Sequence, residues 1–338
     1  MRILVVGAGA SIEEARRAGA PQEFWPPSIG NFAEKLWGSP HNQFFVYWLP
    51  DYLRSLHIDP GPDPTTLFIE LARNPDSGIN VERLFEYCWA NRGEGFRYHQ
   101  GDWADLINHG ILSPLTFLMS QAFYSQGEGI NQLEAGKLVA SKLRSGDIVL
   151  NLNYDTLFEI ALEQAGRRVT YAPNSFNGDG VLVAKPHGSI NLLANSESFW
   201  FAQPDSIGAL PSSEDDYRNH VAIVPPRFNK SYAQHPIAQI IFQSIARTQP
   251  RNLTFWGVGL TDSDVDLIEI YRSWMRSAVT VEVINPDAAA VAGKVSGILA
   301  RKVNAYASIE EWLDGNLAGA VHKPPIAYTS DRYVHNIA

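Results

Sequence analysis

Apolar positions along the chain fall into two textures. At the start, "RILVV" over 2–6 predicts a short strand, and "GAGAS" at 7–11 turns it into the helically spaced "SIEEARRAGA". Ser11 and Glu14 have the spacing of a capping box, which predicts the first turn of the helix at that point. From Trp25 to Arg144 apolar residues recur at helical spacing in "FAEKLWG", "TLFIELARN", "VERLFEYCWA" and "QLEAGKLVASKL". Pro and Gly clusters separate them, so this stretch predicts a block of helices without strands.

β texture returns with "DIVLNLNYD" at 147–155, followed by the helical "TLFEIALEQAG". Strands are predicted in "VLVAKPHGSINLL", "HVAIVPP", "LTFWGVGL", "TVEVINP" and "RKVNAYA", with helices between and after them in "PIAQIIFQSIART", "DVDLIEIYRSWM", "AAAVAGKVSGILA" and "SIEEWLDGNL". Short, nearly all-apolar strands alternating with helices imply parallel βαβ units covered on both faces. The predicted fold class is α/β, a Rossmann-like doubly wound and mostly parallel sheet with a helical insertion after the first strand. Its expected division is a Rossmann-like domain from 1–24 and 145–322, the helical insertion at 25–144, and a C-terminal tail at 323–338.

Composition narrows the class of function. Apolar residues make up 45% and charged residues 19%, an ordinary globular balance. The net charge of −9 comes with no basic stripe, so direct nucleic-acid binding is not expected. No charged and then apolar leader precedes the first strand, and no apolar run reaches the roughly 18 residues that span a bilayer. The expected location is the cytoplasm, with no membrane association. The single cysteine, Cys88 in "LFEYCWA", reads as a buried small hydrophobe and can build neither a disulfide framework nor a four-cysteine zinc site.

Candidate chemistry lies at the strand ends. Gly7 and Gly9 would let the backbone turn tightly and approach a diphosphate at a helix N-terminus. The third glycine of the dinucleotide fingerprint is absent, Ile12 standing in its place. A nucleotide cradle and a plain strand-to-helix turn both fit. Asn153 and Asp155 end a predicted sheet strand, where open α/β sheets bind ligands. Asn153 could position a ribose hydroxyl or a water, while Asp155 could support it or simply cap the helix from Thr156. His187, after a strand and a proline, could be a general base near neutral pH, or a structural histidine. A second glycine-rich strand end holds Gly257, Gly259 and Leu260, and Asn285 ends a further strand. Asp262, Asp264 and Asp266 do not share a helix face and read as solvated capping charges.

In this order, "GAGAS" (7–11), "AGAP" (18–21), "NYD" (153–155), "KPHGS" (185–189), "GVGLTDSD" (257–264) and "INP" (284–286) resemble the sirtuin-like superfamily. They are most similar to its bacterial zinc-free branch of NAD hydrolases linked to antiphage defence. The resemblance implies a domain that holds NAD+ as substrate, without zinc. It implies diphosphate and ribose contacts from Gly7, Ala8, Gly9 and Ser11, an adenosine side at Gly257, Gly259, Leu260 and Asn285, and a catalytic group of Asn153, Asp155 and His187. It also implies a regulated effector, assembled as a homo-oligomer or working with an ATPase or helicase-like or Argonaute-like partner. Five tryptophans of the insertion (Trp25, Trp37, Trp48, Trp89 and Trp103) could serve such a partner or pack a helical core. The rival activities are an NAD-dependent protein deacylase or ADP-ribosyltransferase and a non-catalytic NAD or ADP-ribose sensor.

Overall fold

The computed structural model describes residues 1–37, 48–91, 108–123, 133–174, 180–194, 198–205, 223–227, 231–260, 264–299, 301–315 and 319–321. Its strands are β1 (Arg2–Val6), β2 (Ile148–Asn151), β3 (Val169–Tyr171), β4 (Val181–Ala184), β5 (Leu192–Ala194), β6 (Phe199–Phe201), β7 (Asn252–Trp256), β8 (Thr280–Ile284), β9 (Val303–Tyr306) and β10 (Gly319–Val321). Eight of them form one sheet in the order β10-β9-β8-β7-β1-β2-β4-β3, and β5 pairs β6 in a separate hairpin. Every neighbouring pair in the large sheet is parallel except β9 with β10. This is the expected Rossmann-like α/β architecture.

Strand β1 lies in the middle of the sheet. Val6 is in register with Asn151 on one side and Trp256 on the other, so β1, β2 and β7 end at the same level. Side chains alternate across the sheet, as strand geometry requires. Ile3, Val5, Leu150 and Phe255 pack on one face against α9 (Pro236–Ala246), α10 (Val265–Met275) and α11 (Ala288–Leu299). Leu4, Val6, Val149 and Trp256 pack on the opposite face. That face is covered by α1 (Ala8–Arg17), α2 (Phe32–Trp37), α3 (Trp48–Ser55), α4 (Pro64–Arg73), α5 (Val81–Ala90), α6 (Ser113–Phe123), α7 (Glu134–Ser141), α8 (Leu157–Gln164) and α12 (Ile309–Asp314).

Seven of the described helices on that second face, α1 to α7, come between β1 and β2 in the chain. Their core is aromatic: Trp37 meets Phe32 edge-on at 6.3 Å, and its ring tilts against Phe68 at 5.6 Å and Phe85 at 6.2 Å. Such pairings add to the area the rings bury. Trp37 and Trp48 are buried and Trp25 packs against the same core, so these tryptophans serve packing. Trp103 and the 323–338 tail lie outside the described residues. Cys88 is fully buried, and burial pushes its thiol well up.

The structure departs from the sequence reading in several places. Helix α1 starts at Ala8 rather than at Ser11, with Gly7 as its N-cap and no side-chain cap. The capping box does not form because both of its residues are used elsewhere: Ser11 bonds Asp155 across the sheet end, and Glu14 turns inward. Strand β3, the β5–β6 hairpin and the antiparallel edge strand β10 are three residues each, too short to register as apolar runs. The strand expected in "HVAIVPP" is not one over Ile223–Pro226, which runs outside any sheet.

Glu14 is almost fully buried, and its carboxyl accepts the backbone N–H groups of Ala135 and Gly136 in the first turn of α7. The carboxyl thereby satisfies donors that the helix start leaves open, and these bonds favour its charged form. Burial nevertheless outweighs them and pushes the carboxyl up to about 7. Between about pH 4.5 and 7 the folded chain therefore holds a proton that the unfolded chain has lost, and stability falls as pH rises through that window. Glu14→Gln should flatten this slope, narrowing the stability difference between its two ends by on the order of 3 kcal/mol. Urea unfolding of both proteins across pH 4.5–8 checks it, and parallel profiles would contradict it.

Candidate active site

Two turns interlock where β1 and β7 end. Gly7 N–H donates to Trp256 O at 3.0 Å and Gly9 N–H to Gly257 O at 2.9 Å. Gly257 has φ +63°, and a Cβ there would lie 2.2 Å from Ala10 N. A Cβ on Gly7 would lie 2.7 Å from Gly257 O, and one on Gly9 2.8 Å from Gly257 Cα. Glycine at these three positions is demanded by backbone packed on backbone. The opening glycine pattern thus has a cause inside the protein, independent of any ligand.

The interlock floors a cleft of about 280 Å³ at the carboxyl ends of the central strands, the usual ligand crevice of such sheets. Gly7, Ala8, Gly9, Ser11, Asn153, Asp155, His187, Gly257 and Gly259 all line it. A Cβ on Gly259 would meet only open space. Leu260 and Asn285 are not on its wall. Leu260 packs on the apolar cluster under α10, and Asn285 lines an adjoining cleft of about 420 Å³ that shares Gly9 and Gly257. The facing wall, which the sequence did not disclose, comes from the helical block: Pro26, Pro27, Phe32 and Leu115.

Residues 147–277 match the family described as the SIR2-like domain. A solved structure described as a Sir2 homolog–NAD complex is similar at 14% identity, covering 85% of this chain and 78% of that one with a TM-score of 0.35. No curated protein matches. The SIR2-like stretch contains Asn153, Asp155, Lys185, His187 and Asp264, whereas Gly7 to Ser11 reach the cleft from outside it.

Within the cleft a chain of hydrogen bonds fixes Asn153. Its Nδ2 donates to Gly7 O at 3.0 Å and to Ser11 Oγ at 2.9 Å, and Ser11 Oγ donates to Asp155 Oδ2 at 2.7 Å. With both amide hydrogens used on these partners, Oδ1 is what Asn153 can offer a ligand. Asp155 Oδ1 also accepts the N–H of Leu157, the first residue of α8, at 3.1 Å.

Beneath lies a buried ion pair that the sequence reading missed. Lys185 Nζ sits 2.8 Å from Glu159 Oε1, both side chains without solvent exposure, and also donates to Asp155 O. Glu159 Oε2 accepts Asn151 Nδ2 at 3.0 Å, and Asn151 Oδ1 accepts Asn153 N–H at 3.0 Å. Burial raises the carboxyls of Asp155 and Glu159, and the Lys185 charge opposes it in both. The only advance signal was a lysine inside an apolar strand end, "VAKPHG".

His187 lies at the other side of the cleft, its Nδ1 3.0 Å from Leu152 O. A carbonyl only accepts, so Nδ1 carries the hydrogen and Nε2 the lone pair of the neutral ring. Nε2 is 3.9 Å from Asp264 Oδ1. The rings of Tyr154 and Tyr232 flank the imidazole at 6.4 and 5.9 Å, and burial raises both phenols, which therefore stay protonated near neutrality. Asp264 is thus a cleft residue, not the solvated cap read from sequence: it heads α10 without a side-chain cap bond. Asp266 accepts Tyr232 N–H at 2.7 Å, and Asp262 lies outside the described residues. Among the described residues no three His, Cys, Asp or Glu side chains converge as a metal site would require, and no helix is long and apolar enough to cross a membrane.

Lys185→Met should cost about 3–5 kcal/mol of stability, because it leaves Glu159 buried without its counter-ion. Adding Glu159→Leu should recover much of that loss. Denaturant unfolding of the two variants checks the pairing, and equal stability of single and double variants would contradict it.

Proposed function

We propose that this cleft hydrolyses NAD+ to nicotinamide and ADP-ribose. The observation that carries the reading is the convergence of a fixed asparagine and an imidazole with its lone pair on Nε2 in one crevice at the sheet's switch point. The SIR2-like match of residues 147–277 supports it. Cleaving the N-glycosidic bond leaves oxocarbenium-like charge on the ribose. The site must then hold the sugar, stabilise that charge and deliver a water.

In this reading Asn153 Oδ1 holds the water or a ribose hydroxyl, with Ser11 and Asp155 keeping the amide in place. Water adds to the ribose C1′ as the C–N bond to nicotinamide breaks, nicotinamide leaves as a neutral base, and the water's proton passes to His187 Nε2. The diphosphate lies at the N-terminus of α1 beside Ala8 and Gly9, where the helix dipole favours negative charge. The adenosine side extends past Gly257 and Gly259, with Leu260 beyond them, toward Asn285 in the adjoining cleft. Zinc has no part in the scheme. Since unrestrained loss of NAD+ kills the cell that makes the enzyme, the same reading makes the chain a regulated, cytoplasmic effector of antiphage defence. It is controlled by self-assembly or by an ATPase or helicase-like or Argonaute-like partner.

Incubation with NAD+, with and without acylated peptide, followed by chromatography of the products, tests the proposal. Peptide-independent nicotinamide and ADP-ribose are expected, with release lowered at least about 100-fold by Asn153→Ala or His187→Ala. Full activity in both variants would remove the assignment. Release only with acylated peptide would favour the deacylase.

A further inference from the structure

We propose that Asp264 is the positioning residue of His187, its carboxylate set against Nε2 to hold the charge that the ring acquires when it takes a proton. The proposal rests on the hydrolase reading for its rate measurement only. Its geometric basis is independent of any reaction.

The tautomer is fixed first. Because Nδ1 donates to Leu152 O, a proton taken from the cleft can arrive only at Nε2. The resulting imidazolium is 8% exposed and sits in a crevice walled largely by apolar groups, among them Phe32, Leu115, Leu152 and Val258. Burial of that kind disfavours the charged ring unless an opposite charge stands close. Asp264 Oδ1, 3.9 Å from Nε2, is that charge.

Among the described residues, Asp264 is the carboxylate at ion-pair distance from Nε2. Tyr154 and Tyr232 on its flanks, and Tyr271 on α10, remain neutral phenols through burial, and the Asp264 charge adds to that effect in all three. Asp266 is bonded to Tyr232 N–H and the Ser231 hydroxyl. Asp155 is bonded to Ser11, and Lys185 is paired with Glu159. Glu82 lies on the cleft wall contributed by α5. Asp264 also has a reason to keep its place: it is the residue from which α10 springs, and α10 packs through Leu267, Ile270 and Tyr271 into the buried sheet face.

The functional consequence concerns which step benefits. The carboxylate gives little to the neutral ring and much to the protonated one, so it favours the state reached as water delivers its proton. It acts through the imidazole and touches no reacting atom.

Histidine side-chain NMR titration of the full chain without nucleotide, with the His187 resonance assigned by its loss in His187→Gln, tests the pairing directly. Asp264→Asn and, as a second neutral variant, Asp264→Ser should lower the His187 midpoint by about one pH unit. Asp264→Glu should hold it near the starting value. An unchanged or raised midpoint in folded neutral variants overturns the proposal. In the turnover assay, the acid limb of the kcat/KM profile should move down by the same amount in the neutral variants and return with Asp264→Glu. A profile that only scales, with no shift of its limb, also overturns it. If the intact chain releases no nicotinamide while the NMR midpoint still responds to Asp264, the pairing stands, and the chain is a non-catalytic sensor or an effector awaiting its partner.

Discussion

A lysine ammonium with no access to water holds the centre of this protein together. Lys185 reaches from the end of β4 to Glu159 on α8 and to the backbone carbonyl of Asp155. Through Glu159 it fixes Asn151 and, one bond further, the backbone of Asn153. A charge pair in such a setting is tolerable only when every partner is in place, because an ammonium or carboxylate left alone in the interior costs several kcal/mol. The arrangement is therefore nearly all-or-none. What it secures is the position of the loop between β2 and α8, whose side chains enter the cleft.

Above that foundation two different constraints meet in a few residues. The turns after β1 and β7 press backbone against backbone and accept only glycine at Gly7, Gly9 and Gly257. The polar chain Asn153–Ser11–Asp155 then spans from the β2 end to α1. Serine at position 11 and glycine at position 7 thus have separate physical reasons, although they sit in one short motif. Rigidity comes from the packed glycines and polarity from the hydrogen-bonded trio.

Much of this was legible beforehand, and for identifiable reasons. The parallel sheet was visible because its central strands are short and apolar on both faces, and the crevice residues Asn153, Asp155 and His187 were visible because polar groups ending such strands are conspicuous. The cap at Ser11 was misread, since a serine three residues before a glutamate looks the same whether it bonds its own helix or a carboxylate 144 residues away. Asp264 was misread for a related cause: its helix-start position is visible in sequence, while the proximity of His187 depends on how β4 and α10 meet. Pro26, Phe32 and Leu115 had no signal at all, because periodicity tells which face of a helix is buried and not what lies opposite. Strands of three residues, such as β3 and β10, fall below the length at which alternation can be read.

The placement of β1 carries a consequence for biogenesis. Of the described strands this one is made first, yet it lies between β2 and β7, which begin at residues 148 and 252. At cellular synthesis rates roughly 10–50 s separate its emergence from that of its second neighbour. Until β2 emerges Ile-Leu-Val-Val has no strand to pair with, and its other side stays open until β7 follows, while the helices from residue 32 onward can already collapse around their aromatic cluster. The nascent chain thus presents an open strand edge beside a half-formed helical body. Chaperones that shield short apolar segments, together with the pace of translation between β1 and β7, should govern how much of the protein is recovered folded.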